Sequence, residues 1–166
     1  MKNESTSDRQ SEGDLDNFDL KILDVLQQDG RISVTELARR VGLSKTPCQV
    51  RFRRLVESGI ILGFRAVVDP ARLDRNHVAF TEVKLSDTRE KALDEFNAAV
   101  RRIPEVEECH MLASNFDYLL KVRTSDIRRY RMVLGEKISA LPHVASTSTF
   151  VAMETVLESG SKRPRR

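Results

Sequence analysis

The stretch Ser33-Val34-Thr35-Glu36-Leu37-Ala38-Arg39-Arg40-Val41-Gly42-Leu43-Ser44-Lys45-Thr46-Pro47-Cys48-Gln49-Val50-Arg51-Phe52-Arg53-Arg54-Leu55 decides how the first half of this chain folds. Ser33 and Glu36 have capping-box spacing, in which the hydroxyl and the carboxylate each satisfy an orphan amide at a helix start. The short helix they open buries Leu37, Ala38 and Val41. Gly42-Leu43 makes a tight turn, and Ser44 or Thr46 caps a third helix. Pro47 is tolerated in its first turn, where the missing amide has no helical partner anyway. This helix is expected to run to about Glu57. At about 100° per residue, Cys48, Phe52, Leu55 and Val56 share the stripe facing a core, and Thr46, Gln49, Val50, Arg53 and Arg54 fall opposite. The exposed face sets bases beside short hydrogen-bonding side chains, with no carboxylate to repel phosphate. Two short helices joined by a glycine turn with this composition read as a helix-turn-helix over residues 34–53. Its second helix would enter a major groove N-terminus first.

Outward from this core, Phe18, Ile22, Leu23, Val25 and Leu26 recur mostly at helical spacing, with Asp16 as N-cap and Asp29-Gly30 as the stop. After Ser58-Gly59, residues 60–68 (Ile-Ile-Leu-Gly-Phe-Arg-Ala-Val-Val) read as a short β-hairpin, a wing. Charge supports the same reading. The 166 residues carry 28 Lys+Arg against 25 Asp+Glu, a net +3 that says little until it is located. Residues 37–56 hold six bases (Arg39, Arg40, Lys45, Arg51, Arg53, Arg54) and no acid, a local footprint for a polyanion. A three-helix interaction module is the alternative, and the acid-free block and capped short helix weigh against it.

The second half is patterned differently. Asp69-Pro70 and Asp74-Arg75-Asn76 read as a linker. Residues 78–85 are β-rich, 89–103 are helical with Leu93, Phe96, Val100 and Ile103 as a seam, and 106–112 and 116–123 read as strands. Asp126 caps a helix with Ile127, Tyr130, Leu134, Ile138 and Leu141 inward, and 144–153 is a last strand. The order βαββαβ is a ferredoxin-like unit, a four-stranded antiparallel sheet with both helices on one face. Val78, Phe80, Tyr118, Leu120, Val122, Phe150, Val151 and Met153 supply more apolar strand surface than one helical layer is expected to bury, so a homodimer is inferred. The fold class is α+β, with a disordered tail at 1–14, a DNA-binding domain at 15–76, a sheet domain at 77–157 and a basic tail at 158–166.

Several function classes drop out. No run of 18 apolar residues spans a membrane, and the polar N-terminus is no secretory signal. Cys48 and Cys109 are too few for a disulfide framework and read as small core hydrophobes. His77, His110 and His143 are dispersed, and no metal site or resident cofactor is expected. There is no Gly-rich phosphate loop or nucleophile elbow, so no enzyme is read. A soluble protein of a reducing cytoplasm is expected.

With these segments laid out, the sequence resembles the Lrp/AsnC (leucine-responsive/asparagine-responsive, feast/famine) transcriptional regulators. Leu15-Asp16-x-x-Asp19-x-x-Ile22-Leu23 and Gln28-Asp29-Gly30-Arg31-Ile32-Ser33 are similar to the family's first helix and turn. Glu36-Leu37-Ala38-x-x-Val41-Gly42-Leu43-Ser44-x-Thr46-Pro47-Cys48 is similar to its helix-turn-helix, and Arg51-x-Arg53-Arg54-Leu55-x-x-x-Gly59-Ile60-Ile61 to its recognition helix and the start of the wing. Glu108-Cys109-His110, Phe116-Asp117-Tyr118-Leu119-Leu120 and Tyr130-x-x-x-Leu134-Gly135-Glu136 resemble its regulatory domain, which is RAM/ACT-like. Among subtypes the chain resembles the leucine-responsive branch and the proline-responsive (PutR-type) activators of proline dehydrogenase genes. The resemblance implies dimers that assemble to tetramers or octamers, and a small amino acid such as proline or leucine bound between sheet domains as effector. It places that effector at Leu112, Ala113, Ser114, Asn115 and Asp117, with Thr147, Thr149 and Val151 on the last strand. Ser114 stands where the family usually has Gly.

For DNA, the expected contacts are Ser44, Lys45, Thr46, Gln49, Val50, Arg51, Arg53 and Arg54. Lys45, Arg51, Arg53 and Arg54 are assigned mostly to phosphates, and Thr46, Gln49 and Val50 to base edges, Gln suiting adenine and Val a thymine methyl. Arg51 lies nearer the buried stripe and has a bracing role as its alternative. Asp117 is read equally as a turn-holding residue or as a contact to an effector ammonium. The resulting expectation is a sequence-specific regulator of amino-acid metabolism, an activator of proline catabolism within the PutR-type reading. Its rival is an ACT-like sensing module that regulates a partner enzyme without binding DNA.

Overall fold

Asp16 starts the first helix by accepting hydrogen bonds from the amides of Phe18 and Asp19, while the Asp19 carboxylate accepts one from the Asp16 amide. This complete capping box opens α1 (Asn17–Gln28). At α2 (Val34–Val41) only half of the expected box forms: the Ser33 hydroxyl accepts from the Glu36 amide at 3.2 Å. The Glu36 carboxylate turns instead to Arg39 and Arg40, because charge-assisted bonds to a guanidinium one turn away outcompete a bond to a neutral amide. Gly42 closes α2 with φ +78°, a left-handed conformation in which a side chain would be strained. Ser44 then precedes α3 (Lys45–Glu57). The computed structural model describes residues 15–158, so the tail at 1–14 and the stretch from 159 onward lie outside the described residues.

Ile22, Leu37, Ala38, Val41, Cys48 and Leu55 form the core of this three-helix unit. Phe52 is half-buried and Val56 is exposed, so the buried stripe of α3 is narrower than its pattern suggests. Two short helices cover little more than the Cys48–Leu55 line. Residues 60–68 form no strand, which corrects the expected hairpin. Phe64 folds back instead, its ring 6.2 Å from that of Phe52 and one carbon 3.1 Å from where a Cβ on Gly30 would sit. Even so, Phe64 stays more than half exposed, as do Leu62, Val67 and Val68. The chain divides into two compact units between Ala66 and Val67, and Pro70–Leu73, expected as linker, is a short 3-10 turn capped by Asp69.

The second unit comprises β1 (His77–Leu85), α4 (Glu90–Val100), β2 (Val106–Met111), β3 (Tyr118–Thr124), α5 (Ile127–Val133) and β4 (Val144–Val151). The sheet order is β2-β3-β1-β4 with every neighbouring pair antiparallel, the ferredoxin-like arrangement. After α5 the helix widens into a π-helical segment, Leu134–Ile138, and Ile127, expected inward, is exposed. Ala79, Val83, Leu85, Tyr118, Leu120 and Val122 pack against Phe96, Val100, Tyr130, Val133 and Ile138. Tyr118, Leu120 and Val122 therefore belong to the core rather than to surplus apolar surface. The opposite face is mixed: Phe80 lies opposite Phe150, Glu82 opposite Ser148 and Leu119, and Lys84 opposite Ser146. Glu158, expected in the tail, accepts hydrogen bonds from Lys121 and Arg123. Among the described residues no helix is long and apolar enough to cross a membrane.

Candidate nucleic-acid interface and effector region

The recognition helix α3 begins at Ser44, whose side chain makes no capping bond and stays exposed. Lys45, Thr46, Gln49, Val50 and Arg53 are exposed on one face of this helix, Val50 by 64%. They are related by three- and four-residue steps, which places them side by side on a helix surface. The structure thus brings the expected base-reading residues together.

The bases of the acid-free block have unequal fates. Arg39 and Arg40 both pair with Glu36, at 2.7 Å and 3.1 Å, and the Arg39 and Arg40 bonds hold the Glu36 carboxyl at about 2. Arg51 donates to Asp16 at 2.5 Å and to Asp19 at 3.0 Å, and its guanidinium sits 5.6 Å from the centre of the Phe18 ring. Arg54 donates to Asp19 at 2.5 Å. The backbone amide of Asp19 and the Arg51 guanidinium together hold the Asp16 carboxyl below its usual range. Arg51 and Arg54, assigned by sequence mostly to phosphates, are thus tied to the first helix. Among the described residues, the α3 cations outside any ion pair are Lys45 and Arg53. The sequence reading missed Asp16 and Asp19 as partners of α3, since a contact spanning 32 to 35 positions leaves no local signal. Glu36 was legible: it stands one residue before the acid-free block, at three- and four-residue spacing from its arginines.

In the sheet domain, Leu112, Ala113, Ser114 and Asn115 form an exposed loop between β2 and β3, with the Ser114 hydroxyl donating to the Asn115 side chain at 2.9 Å. Asp117 is committed to the fold. One carboxylate oxygen accepts from the Leu85 amide at 2.8 Å, the other pairs with Lys84, and its own amide donates to the Val83 carbonyl at 3.0 Å. These bonds tie the root of the loop to β1. Thr147 lies opposite Val83 on β4, so the loop's root and Thr147 flank the end of β1. Thr149 and Val151 lie two and four positions farther along, opposite Thr81 and Ala79. The Thr149 hydroxyl is 2.6 Å from that of Tyr130, which is 2.9 Å from that of Thr81, a hydroxyl chain running into the core. Cys109, expected in the core, is exposed. At the other end of the sheet a groove is lined by Arg75, Glu105, Arg123 and Arg129 among others, and the sequence reading had not singled it out. Most of its charges are paired: Glu105 takes Arg129 and Lys137, Arg123 takes Glu107 and Glu158, and Arg75 lies 3.9 Å from Glu107.

Comparison with known proteins agrees with both units. Residues 78–161 match the Lrp/AsnC ligand binding domain, and residues 15–61 match a winged helix-turn-helix DNA-binding domain. The chain is 71% identical over 147 residues to the proline dehydrogenase transcriptional activator of Rhizobium radiobacter, covering 89% of this chain and 94% of that one. It is 47% identical over 146 residues to the leucine-responsive regulatory protein of Salmonella typhimurium, covering 88% and 89%. Among solved structures it is similar to an AsnC family transcriptional regulator from Agrobacterium tumefaciens, with TM-score 0.82 and 31% identity over 90% of this chain and 97% of that one. A transcriptional regulator of Neisseria meningitidis in complex with L-Met gives TM-score 0.81 and 30% identity, covering 89% and 96%. These relatives are transcriptional regulators and not enzymes, and the chain belongs to the Lrp/AsnC family of DNA-binding transcriptional regulators.

Proposed function

We propose that this chain is a cytoplasmic, homo-oligomeric activator that binds duplex DNA through α3 and responds to proline. The observation that carries the DNA reading is the face of α3. Thr46, Gln49 and Val50 stand exposed between Lys45 and Arg53, two cations outside any ion pair among the described residues, with Ser44 at the helix start. Lys45 and Arg53 take phosphates, while Thr46, Gln49 and Val50 approach base edges. Arg51 and Arg54 brace the fold. Proline as effector rests on the 71% identity to a proline dehydrogenase activator. Ser114, Asn115 and the Thr147 hydroxyl supply hydrogen-bonding groups for an amino acid, and Leu112 supplies apolar surface. Because β4 and the β2–β3 loop leave this region open in one chain, a second copy completes it, which supports dimers and higher assemblies.

The test combines thermal stabilisation across the twenty amino acids with anisotropy on a duplex taken from upstream of the proline dehydrogenase gene. Stabilisation by proline, with proline-dependent and salt-dependent DNA binding, is the expected result. No stabilisation at millimolar amino acid overturns the sensor reading. Amino-acid binding with no DNA binding at low salt favours a sensing module instead.

A further inference from the structure

We propose that Asp19 is a positioning residue for DNA recognition, setting the rotation of α3 through Arg51 and Arg54. This rests on the reading of α3 as the DNA helix. Asp19 lies on α1, and its side chain has no exposure at all, whereas Arg51 and Arg54 are 27% and 55% exposed. One Asp19 oxygen accepts from Arg51 at 3.0 Å, and the other accepts from Arg54 at 2.5 Å and from the Asp16 amide at 3.1 Å. Asp16 closes the ring by accepting from Arg51 and from the Asp19 amide.

Arg51 and Arg54 are three residues apart, about one turn along the same side of α3. Two attachments one turn apart fix both the rotation of a helix about its axis and its tilt, whereas the hydrophobic contacts of Cys48 and Leu55 are non-directional. Arg51 reaches Asp16 and Asp19 through its Nη1 and Arg54 reaches Asp19 through its Nη2, so the two arginines hold α3 to α1 at two points. One residue step on a helix is about 100°, so a small rotation carries Thr46, Gln49, Val50 and Arg53 away from the base edges they would face. The same pairs neutralise two cations beside the reading face, which lowers charge-driven attraction to any DNA and leaves discrimination to the reading residues.

The test uses the full-length chain. A duplex is selected from a random library with the wild-type chain, and Kd is measured for it and for poly(dI-dC) at one salt concentration, below the melting temperature of each variant. Asp19→Asn keeps the shape and removes the charge. Its expected effect is a specificity ratio lower by about tenfold, the scale of one mismatched base pair. Binding to poly(dI-dC) stays equal or tightens, because two guanidinium groups lose their anion. A lower melting temperature with an unchanged ratio overturns the proposal and leaves Asp19 as structural support. If Asp19→Asn does not fold, Arg54→Ala carries the test, since it removes one of the two attachments while Arg51 keeps the other. A fallen ratio supports positioning, and unchanged binding to both duplexes overturns it. If the wild-type chain selects no sequence from the library, the DNA reading itself fails and the proposal with it, an outcome distinct from a variant that keeps the wild-type ratio.

Discussion

Arg53 and Arg54 are neighbours of the same residue type on one helix, yet the structure gives them different work, and replacing each by alanine separates the two roles. Arg53 is exposed and outside any ion pair among the described residues, so its charge is available to a phosphate. Each phosphate neutralised contributes about 0.9 to the slope of log K against log salt, so a bound dimer of Arg53→Ala, missing two such contacts, should lose about 1.8. Between 50 and 200 mM salt the wild-type affinity should therefore fall roughly 12-fold more than that of Arg53→Ala. Thermal stability should be unchanged, since an exposed substitution of this kind lies within about 0.5 kcal/mol. Arg54→Ala instead removes one of two cationic partners of a carboxylate with no exposure. Arg51 still holds that carboxylate, so the loss is that of one charged hydrogen bond, about 1.5–3 kcal/mol. In a domain of this size each kcal/mol moves Tm by roughly 4–8 °C. Anisotropy of a labelled duplex across a salt series reads the first variant, and the melting of both by circular dichroism reads the second. An unchanged salt slope in Arg53→Ala, or a slope lost in Arg54→Ala at unaltered Tm, would refute this division of labour.

Four further outcomes follow from single contacts. Asp117→Ala strands the Leu85 amide and should lower the Tm of the sheet domain by an amount matching about 1–3 kcal/mol, even without amino acid present. Thr149→Val breaks the hydroxyl chain into Tyr130 and should cost about 1 kcal/mol, read in a urea titration. Gly42→Ala places a side chain at φ +78° and should destabilise by about 1 kcal/mol in the same assay. Acid should weaken the fold in a defined window. Glu36 falls from 4.5 to about 2 through Arg39 and then Arg40, and Asp87 falls from 3.8 to about 2 through Arg89. A carboxyl depressed in the folded state stabilises above its unfolded pKa, and that contribution disappears as pH falls through the folded one. Tm should therefore hold down to about pH 4.5 and decline toward pH 2. A Tm that rises in that interval would contradict the ion pairs.

Residues that act within a turn of one another were readable from sequence, and those that act across the fold were not. Ser33, Gly42, Asp126 and the β-rich runs carry their meaning in local spacing, and each appears where that spacing puts it. The reciprocal box was misplaced for a reason that is also local. Asp19 at the third position of α1 has the same geometry as Glu36 at that of α2, but arginines follow Glu36 within one turn and compete for its carboxylate. The match to a winged helix-turn-helix domain covers residues 15–61, whereas the hairpin expected over 60–68 does not form, because a hairpin requires a partner strand that local pattern alone does not supply. The sheet's uncovered face was overestimated because alternation says which residues share a face and not which face meets the helices. Tyr118, Leu120 and Val122 alternate correctly and all point to the helices. At the candidate site, the exposed row from Lys45 to Arg53 followed from helical period alone, whereas the capture of Arg51 and Arg54 depended on where α1 packs.

That capture changes how the acid-free block relates to DNA affinity. Six bases within 37–56 suggest a strongly cationic surface. Four of them share three carboxylates, Glu36, Asp16 and Asp19, and among the described residues Lys45 and Arg53 are the two outside any ion pair. Two phosphate contacts give a salt slope of only about 1.8 for one recognition helix, far short of a protein making six to ten such contacts. One helix-turn-helix of this kind therefore binds weakly, and useful affinity must come from joining several, where the second domain binds at the effective concentration set by the first. The number of joined domains is decided in the sheet domain, which holds the proposed effector residues and none of those proposed for DNA. On the proposed reading, an amino acid that changes assembly changes DNA occupancy without touching α3. The consequence can be measured: the apparent salt slope should scale with the number of subunits bound, by about 1.8 each, so proline should alter the slope as well as the affinity. If proline shifted affinity at constant slope and constant sedimentation, the coupling would run through some route other than assembly.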